Sequence, residues 1–235
     1  NSPIDGVQNE FSIATFFKIN DISQGHCLYG HRGSYQDIQF RLFDDGLLRF
    51  TVMNTSDNVL NLDYNSINEE EWIYAVATYS GSEAKIYLNG EEVASVIQTV
   101  GNVNWNLASN GYWIGGGDPD WNPFMSGQLN RMSIWTKVLS LEEVQTYMNC
   151  PPLGTENNLA AYWDFQEGSG ETLLDLSGNG NNGTINGANY ITSSPNLACE
   201  TSCCIYPDSE EGCIGCTDSE ADNFNPNANV DDGSC

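Results

Sequence analysis

A turn that begins at Asp175 concentrates oxygen-bearing side chains that could bind a hard metal cation. Asp175, Ser177, Asn179 and Asn181 stand at every second position, and a leucine and two glycines separate them. Calcium takes roughly six to eight oxygen ligands on a backbone that bends around it, and glycine permits such bending. The turn therefore predicts a calcium site, and a string of Asx turns that simply closes a loop is the alternative.

A second set of oxygen ligands alternates with other residues close to the C-terminus. Its predicted members are Asp218, Asn225, Asn227, Asp231 and Asp232. An oxygen at every second residue suits a loop that wraps around calcium, although the flanking helices of an EF-hand are not part of the pattern. Calcium is predicted here too, with plain solvated turns as the alternative.

Three short segments carry aromatic and charged residues of the kind that bind sugars. The candidate ligand-binding residues are Arg32, Tyr35, Trp105, Asp118, Asp120 and Trp121. An aromatic ring stacks on the apolar face of a sugar while carboxylates and amides bind its hydroxyls. An arginine can also hold a sulfate or carboxylate through two parallel hydrogen bonds. Each residue could instead serve the fold, and Trp121 in particular could cap the edge of a sheet.

Few residues in the sequence could carry out catalysis. The two histidines are His26 and His31, and no HExxH, P-loop or dinucleotide-binding motif occurs. A glycosidase pair of carboxylates is the remaining possibility, but the nearest acidic runs, 69–71 and 91–92, fall in turns beside strands. We therefore predict a binding protein and not an enzyme.

Acidic residues dominate the charge of the chain. Against 32 Asp and Glu stand seven Lys and Arg, which gives a net charge of −25 at pH 7. Such a charge repels nucleic acids and anionic membranes, and bound calcium would relieve the repulsion within the folded chain. No apolar run approaches the roughly 18 residues of a membrane span. We expect no nucleic-acid partner, no membrane insertion and a calcium-containing exterior as the place of action.

Short strands must position these candidate residues. Apolar and polar residues alternate in the segments 11–17, 38–43, 47–52, 72–79 and 84–88, with Gly, Asn and Asp between them. The turns 44–46 and 89–90 predict two hairpins. One helix is predicted after Ser140, because Ser140 and Glu143 form a capping box and prolines follow at 151–152. The pattern predicts an all-β, two-sheet antiparallel β-sandwich (jelly roll) with one short capping helix.

Several segments together resemble the laminin G-like/concanavalin A-like jelly roll of secreted bacterial proteins. They are 72–79 with 85–90, 114–116 with 124–135 and 139–144, and 159–170 with 175–184. Related domains carry calcium in a turn like that at Asp175, and some sandwiches of this kind are glucanases. The segment 159–165 often opens such domains but here follows the helix. We expect it to close this sandwich in permuted order, with an aborted second copy as the alternative.

The C-terminal segment resembles an acidic repeat of secreted bacterial proteins, read from 215–218, 223–226 and 231–235. Six of the eight cysteines lie from 199 onwards, which predicts a small disulfide-rich appendage formed in an oxidising compartment. Cys216–Cys235 is the predicted pair. The expected domains are a sandwich at 1–197 and the repeat at 198–235. The resemblance also implies that the protein continues in a longer, multidomain chain.

The sequence thus predicts an extracellular, calcium-dependent binding or adhesion module, secreted or at the cell surface. Its expected partner is a glycan on a surface or polysaccharide, or a cell-surface protein. The alternative is a structural repeat unit of a surface adhesin, fibre or appendage that binds no small ligand. An aromatic loop that binds glycans would favour the first prediction, and a surface covered by a partner would favour the second.

Overall fold

A computed structural model describes residues 7–30, 38–54, 56, 58–101, 103–104, 111–116, 124–192, 195, 214–215 and 230–231. These residues form short strands and one helix. In chain order the elements are β1 (Val7–Gln8), β2 (Phe11–Ile19), β3 (His26–Gly30), β4 (Ile38–Leu42), β5 (Leu47–Met53), β6 (Val59–Asn65), β7 (Ile73–Tyr79), β8 (Glu83–Leu88), β9 (Glu91–Ile97), β10 (Val103–Asn104), β11 (Trp113–Ile114), β12 (Gly127–Trp135), α1 (Leu141–Asn149), β13 (Leu159–Trp163), β14 (Thr172–Leu173), β15 (Gly183–Thr184), β16 (Ile214–Gly215) and β17 (Val230–Asp231).

Two antiparallel sheets form the sandwich. The five-stranded sheet has the order β11-β3-β4-β5-β6, and the six-stranded sheet has the order β13-β12-β2-β7-β8-β9. The predicted fold class, an all-β two-sheet sandwich with one short helix, is confirmed. Strand β2 is buried on both of its faces because one face meets the other sheet and the opposite face meets the layer under α1.

The main core lies between the sheets and is built from alternating apolar residues. Phe11, Phe40 and Phe50 are fully buried there, and Phe50 contacts each of the other two rings edge-on at 6.1 Å between centroids. Burial of one such side chain contributes about 1.5–3 kcal/mol. The alternation that identifies these residues in the sequence also leaves every second side chain of β4, β5 and β6 on the opposite face.

A second apolar layer fills the space between α1 and the outside of the six-stranded sheet. Trp135 is fully buried there and packs on Tyr147 at 4.7 Å between ring centroids. The predicted capping box is present, since Glu143 N–H donates to the Ser140 hydroxyl and Ser140 N–H donates to the Glu143 carboxylate. The expected helix is therefore confirmed, and it covers a sheet face that would otherwise expose aromatic rings.

Both predicted hairpins are present. Residues 44–46 join β4 to β5, and Asn89-Gly90 joins β8 to β9. Asn89 and Gly90 have φ angles of 50° and 83°, the left-handed conformation that a tight hairpin turn requires. The predicted closure by 159–165 is also found, because β13 pairs with β12 at the edge of the six-stranded sheet.

The cysteines of the sandwich differ in state. Cys27 is a buried free thiol, whereas Cys150, just after α1, is disulfide-bonded. In the C-terminal segment, β16 and β17 pair in parallel. The predicted Cys216–Cys235 pair lies outside the described residues, so it stays a prediction, as does the domain boundary at 197. None of the helices in the described part of the chain is long and apolar enough to cross a membrane.

Candidate functional site

The six ligand-binding residues predicted from sequence all lie outside the described residues. They are Arg32, Tyr35, Trp105, Asp118, Asp120 and Trp121. Gly30, which precedes the segment with Arg32 and Tyr35, pairs with Trp113 of β11 at the edge of the five-stranded sheet. The sequence prediction for these residues therefore stays a prediction. The candidate site described below consists of other side chains.

Aromatic rings gather at the β11 edge. Tyr112 stacks on the buried Tyr29 with 5.3 Å between centroids and 3° between planes. Burial raises the pKa of Tyr29 well above its ordinary value, so its phenol stays neutral. Trp113 is only half-buried, and Phe124 is 58% exposed. This edge offers apolar surface beside the segments that were predicted to bind ligand.

The outer face of the five-stranded sheet, defined as the side of β4, β5 and β6 that points away from the core, carries polar residues in rows. The strand register aligns Gln39, Thr51 and Asn61, which we call the polar row. It likewise aligns Arg41, Arg49 and Asp63, which we call the charged row. Two guanidinium groups thus lie beside hydroxyl and amide groups on this face, and Asn61 is the exposed member of the polar row.

Direct contacts hold the charged row in place. Arg49 donates from Nε and Nη2 to the two carboxylate oxygens of Asp63, at 2.6 and 2.7 Å, and these hydrogen bonds raise the pKa of Arg49. Phe43 lies beneath both guanidinium groups, with its ring centre 5.4 Å from Arg41 and 5.0 Å from Arg49. Cation–π contact of this kind contributes about 0.5–1 kcal/mol at exposed sites. The two arginines are therefore oriented before any ligand arrives.

The polar row is partly sheltered. Thr51 donates its hydroxyl hydrogen to the side-chain oxygen of Asn61 at 2.8 Å. Thr51 is 8% exposed and Gln39 is 5% exposed, whereas Asn61 is exposed. Arg41 also donates to the Gln39 side-chain oxygen at 3.4 Å, which joins the two rows. Because the oxygen of Asn61 is used by Thr51, its amide N–H groups are the ones available to a sugar hydroxyl.

Sequence reasoning missed this outer face, although a signal for it was present. A hairpin with its turn at residues 44–46 determines which residues of β4 and β5 lie opposite each other. Ile38 lies opposite Val52, and Arg41 lies opposite Arg49. The same alternation that identifies the core would have placed both arginines on one face, opposite each other. The prediction from sequence depended on loop tryptophans, which suit sugar binding in general, and not on the strands.

The Asp175 turn covers the exposed edge of β13. Tyr162 N–H, Ser177 N–H and the Ser177 hydroxyl donate to one carboxylate oxygen of Asp175, and Asn181 N–H donates to the other. Asn179 and Asn181 donate from their amide nitrogens to the carbonyl of Ala160. The turn thus supplies the hydrogen bonds that a further strand would have made along this edge.

The hydrogen bonds to Asp175 determine what a calcium ion would meet at this turn. Partial burial alone would raise the pKa of Asp175, but the hydrogen bonds from Ser177, Tyr162 and Asn181 outweigh it and hold the pKa below its ordinary value. A cation at this carboxylate would have to replace N–H and O–H donors that now converge on it. Within the part of the chain that the structure describes, no group of three or more His, Cys, Asp and Glu side chains could hold a metal.

The other predicted metal ligands lie in the C-terminal segment. Asp218, Asn225, Asn227 and Asp232 are outside the described residues, and Asp231 belongs to β17. Calcium at this segment stays a prediction.

The acidic runs considered for catalysis have structural partners. Glu69 accepts a hydrogen bond from Ile22 N–H at 2.6 Å, and Glu92 forms an ion pair with Lys85 at 3.0 Å. Lys85 and Glu92 line a shallow depression between β8, β9 and the start of α1. The same lysine is also 3.7 Å from Glu83, so both carboxylates that line the depression lie within ion-pair distance of Lys85.

The His26 ring connects Asp21 to Ser126, the residue just before β12. Its Nε2 lies 2.7 Å from the carbonyl of Asp21, and its Nδ1 lies 3.2 Å from Ser126 N–H. Since Ser126 N–H can only donate, Nδ1 must accept, which places the proton on Nε2 and makes the ring neutral. Burial lowers the pKa of His26, although the Asp21 carbonyl and carboxylate act in the opposite direction.

Acid should therefore loosen this junction. A base whose pKa is lowered by folding contributes stability above the pKa of the unfolded chain, about 6.5, and that stability is lost as pH falls below it. We expect the free energy of unfolding in urea to fall between pH 7.5 and 5.5 by at most about 1.4 kcal/mol per pH unit from this group. The variant His26→Gln should flatten that part of the curve. If the free energy of unfolding fell with pH at the same slope in both proteins, His26 would not be the group that makes this junction sensitive to acid.

Comparisons with known proteins agree with this architecture. The family model of the concanavalin A-like lectin/glucanases superfamily (Laminin_G_3) matches residues 2–145, more than half of the chain. Among solved structures, a Bacteroides ovatus protein described as a candidate carbohydrate-binding protein matches with a TM-score of 0.65 at 17% identity.

That match covers 78% of this chain and 54% of the other, so the chain spans about half the length of that protein. A search of curated proteins found no match. The low identity makes the structural likeness evidence of fold alone, whereas the family model matches the sequence itself. The chain belongs to the concanavalin A-like lectin/glucanases superfamily.

Proposed function

We propose that this domain is a non-catalytic carbohydrate-binding module whose ligand lies on the outer face of the five-stranded sheet. The observation that carries the proposal is the pair of rows on this face. Asn61 presents amide N–H groups beside the oriented guanidinium groups of Arg41 and Arg49. Planar polar groups on a rigid sheet suit a sugar, whose hydroxyls need several hydrogen bonds at fixed positions.

The superfamily and the fold support the same proposal. Its members include lectins, and the Bacteroides ovatus protein with the same fold is described as a candidate carbohydrate-binding protein. The six-stranded sheet is a poorer candidate because α1 and the second apolar layer cover much of its outside. The five-stranded sheet keeps exposed polar side chains on its outer face.

The carboxylates of that face support the proposal of binding without catalysis. Glycosidases use two Asp or Glu residues on either side of the scissile bond. Among the described residues of β4, β5 and β6, the carboxylate of this face is Asp63, and both of its oxygens accept hydrogen bonds from Arg49. The described residues of these three strands therefore do not supply the pair of acids that a glycosidase uses.

Replacing Asn61 tests the site. We expect Asn61→Ala to weaken binding of the best ligand on a polysaccharide array by about two- to tenfold, since one hydrogen bond contributes about 0.5–1.5 kcal/mol. Asn149→Ala is the matched control, because Asn149 is also exposed and lies at the end of α1. Isothermal titration supplies the affinities. Binding that survives Asn61→Ala unchanged would place the site elsewhere, and the absence of any polysaccharide ligand would favour the structural repeat unit.

Calcium dependence and an extracellular adhesion role are the finer parts of the proposal. They are supported by the acidic composition, by the oxygen-rich C-terminal segment and by the laminin G-like resemblance, since such domains commonly act outside cells. The same titrations in calcium and in excess chelator test the metal. Equal affinities would remove calcium from the binding step.

A further inference from the structure

We propose that the depression between β8, β9 and the start of α1 is a second ligand site, and that it binds one neutral sugar residue. The depression lies on the outside of the six-stranded sheet and has a volume of about 330 Å³. Small-molecule sites have volumes of roughly 300–1,000 Å³, so the depression suits a small ligand. It belongs to the opposite sheet from the polar and charged rows, and the inference does not depend on the function proposed for those rows.

A buried hydroxyl in the lining is the first observation. Thr78 is 2% exposed, and the register of the sheet places it between Ser12 and Lys85. The Ser12 hydroxyl donates to the carbonyl of Lys137 at 2.8 Å and accepts from Leu139 N–H at 2.9 Å. Among the described residues, by contrast, none forms a hydrogen bond with the Thr78 hydroxyl. Since buried polar side chains nearly always have a partner, we infer that a ligand supplies one here.

A second hydroxyl lines the same depression. Tyr87 is 5% exposed, and no hydrogen bond joins its phenol to another residue in the described part of the chain. Burial raises the pKa of Tyr87 although Lys85 acts in the opposite direction, so the phenol stays neutral. A neutral phenol can both donate and accept a hydrogen bond, as the threonine hydroxyl can. A sugar hydroxyl has the same two capacities and could therefore pair with either group.

The charged groups of the depression favour a neutral ligand. Lys85 Nζ lies 3.0 Å from a carboxylate oxygen of Glu92 and 3.7 Å from one of Glu83. Two carboxylates and one ammonium group leave a net negative charge, which disfavours an anion. The ammonium group already occupies the carboxylates that a cationic ligand would need. A neutral sugar can accept a hydrogen bond from Lys85 or donate one to a carboxylate while the ion pairs remain in place.

Apolar side chains border the polar groups. Val138 and Leu141 line the depression, and Leu141 is 47% exposed. A sugar ring presents C–H groups on its face and hydroxyls around its edge. Apolar contacts combined with a few polar groups at fixed positions are typical of a site for such a ligand.

The experiment follows the backbone amide signals of the isotope-labelled protein by NMR while glucose, galactose, mannose or N-acetylglucosamine is added. We expect at least one of these neutral sugars to shift the amides of residues 78–87 and 138–141. Thr78→Val removes the hydroxyl and keeps the shape of the side chain. It should weaken this binding by about two- to tenfold, because one hydrogen bond to the ligand is lost. Tyr87→Phe should have an effect of the same size.

Thr15→Val is the matched control for Thr78→Val. Thr15 is fully buried in the same sheet, but its hydroxyl donates to the carbonyl of Arg131 at 3.0 Å. Thr15→Val should lower the thermal midpoint and leave sugar affinity unchanged, whereas Thr78→Val should weaken sugar binding without lowering the midpoint. If Thr78→Val lowers the midpoint as much as Thr15→Val does, the Thr78 hydroxyl serves the fold and the proposal is wrong.

The positions of the shifted amides distinguish this site from the outer face of the five-stranded sheet. Sugar-induced shifts confined to β4, β5 and β6 would support the outer face and overturn the second site. Shifts confined to the depression would support the second site and count against the outer face. Putrescine is the cationic probe. If putrescine shifts the amides of the depression and none of the sugars does, the chemical class is wrong, and if none of these compounds shifts them, the site itself is wrong.

Discussion

The variant Asp175→Ala should lower the free energy of unfolding by about 3 kcal/mol at neutral pH. The substitution leaves three backbone N–H groups, of Tyr162, Ser177 and Asn181, without their acceptor at the edge of β13. A hydrogen bond to a charged group contributes about 1.5–3 kcal/mol, but such bonds are not additive and water can reach part of this edge. For a chain of this size the thermal midpoint should fall by roughly 6–12 °C.

The free energy of unfolding that is lost in Asp175→Ala should decrease as the pH becomes acidic. Because folding lowers the pKa of Asp175, its contribution is complete above the pKa of the unfolded carboxyl, about 3.9, and is lost as pH falls through the folded pKa. Urea unfolding of the two proteins should therefore differ most near neutrality and converge in strong acid. A gap that persists unchanged in strong acid would contradict the hydrogen-bonding role.

Asp164→Ala is the matched control for this variant. Asp164 lies just after β13 and accepts a backbone hydrogen bond from Gln166, so its loss should cost less than about 1 kcal/mol. Thermal midpoints measured in calcium and in chelator distinguish a structural role of Asp175 from calcium binding. If Asp175 acts by covering the edge, Asp175→Ala lowers the midpoint equally in calcium and in chelator. If Asp175 binds calcium, chelation should lower the midpoint of the original protein more than that of the variant.

The fold was predictable because its signals are local. Alternation identified the core strands, the turns at 44–46 and 89–90 identified two hairpins, and the capping box identified α1. Each of these depends on a few neighbouring residues whose backbone preferences agree with the final structure. The closure of the sandwich by 159–165 was also predicted, because a strand rich in aromatic residues has to be covered, and the structure shows β12 as its partner.

The candidate site was less predictable because it depends on contacts between distant strands. Calcium at Asp175 and its glycine-rich turn stays a prediction, and the fold adds that donors and acceptors of this turn match the backbone of β13. Sequence spacing shows which oxygens are close together and does not show which N–H groups will face them. The charged row depends likewise on register, since Arg49 meets Asp63 across fourteen positions of sequence.

The variant Arg131→Met should detach the end of α1 and lower the free energy of unfolding by about 2–4 kcal/mol. Arg131 is buried and donates from Nη2 to the carbonyls of Tyr147 and Met148, at 2.8 and 2.7 Å, in the last turn of the helix. Its guanidinium also lies over the Phe16 ring at 4.7 Å. Folding also has to remove the Arg131 charge from water, which costs free energy, and Arg131→Met avoids this cost. The decrease in the free energy of unfolding is therefore smaller than the sum of these contacts.

The expected signature of this loss is local. The last carbonyls of a helix have no partner within the helix, and a cation there also interacts favourably with the helix dipole. In Arg131→Met, backbone amides of α1 should exchange with deuterium much faster, while those of β4 and β5 on the other sheet change little. Arg131→Lys should give an intermediate loss, because an ammonium keeps the charge without the planar fork. Exchange that rises equally in both sheets would mean that Arg131 stabilises the whole sandwich and not the helix in particular.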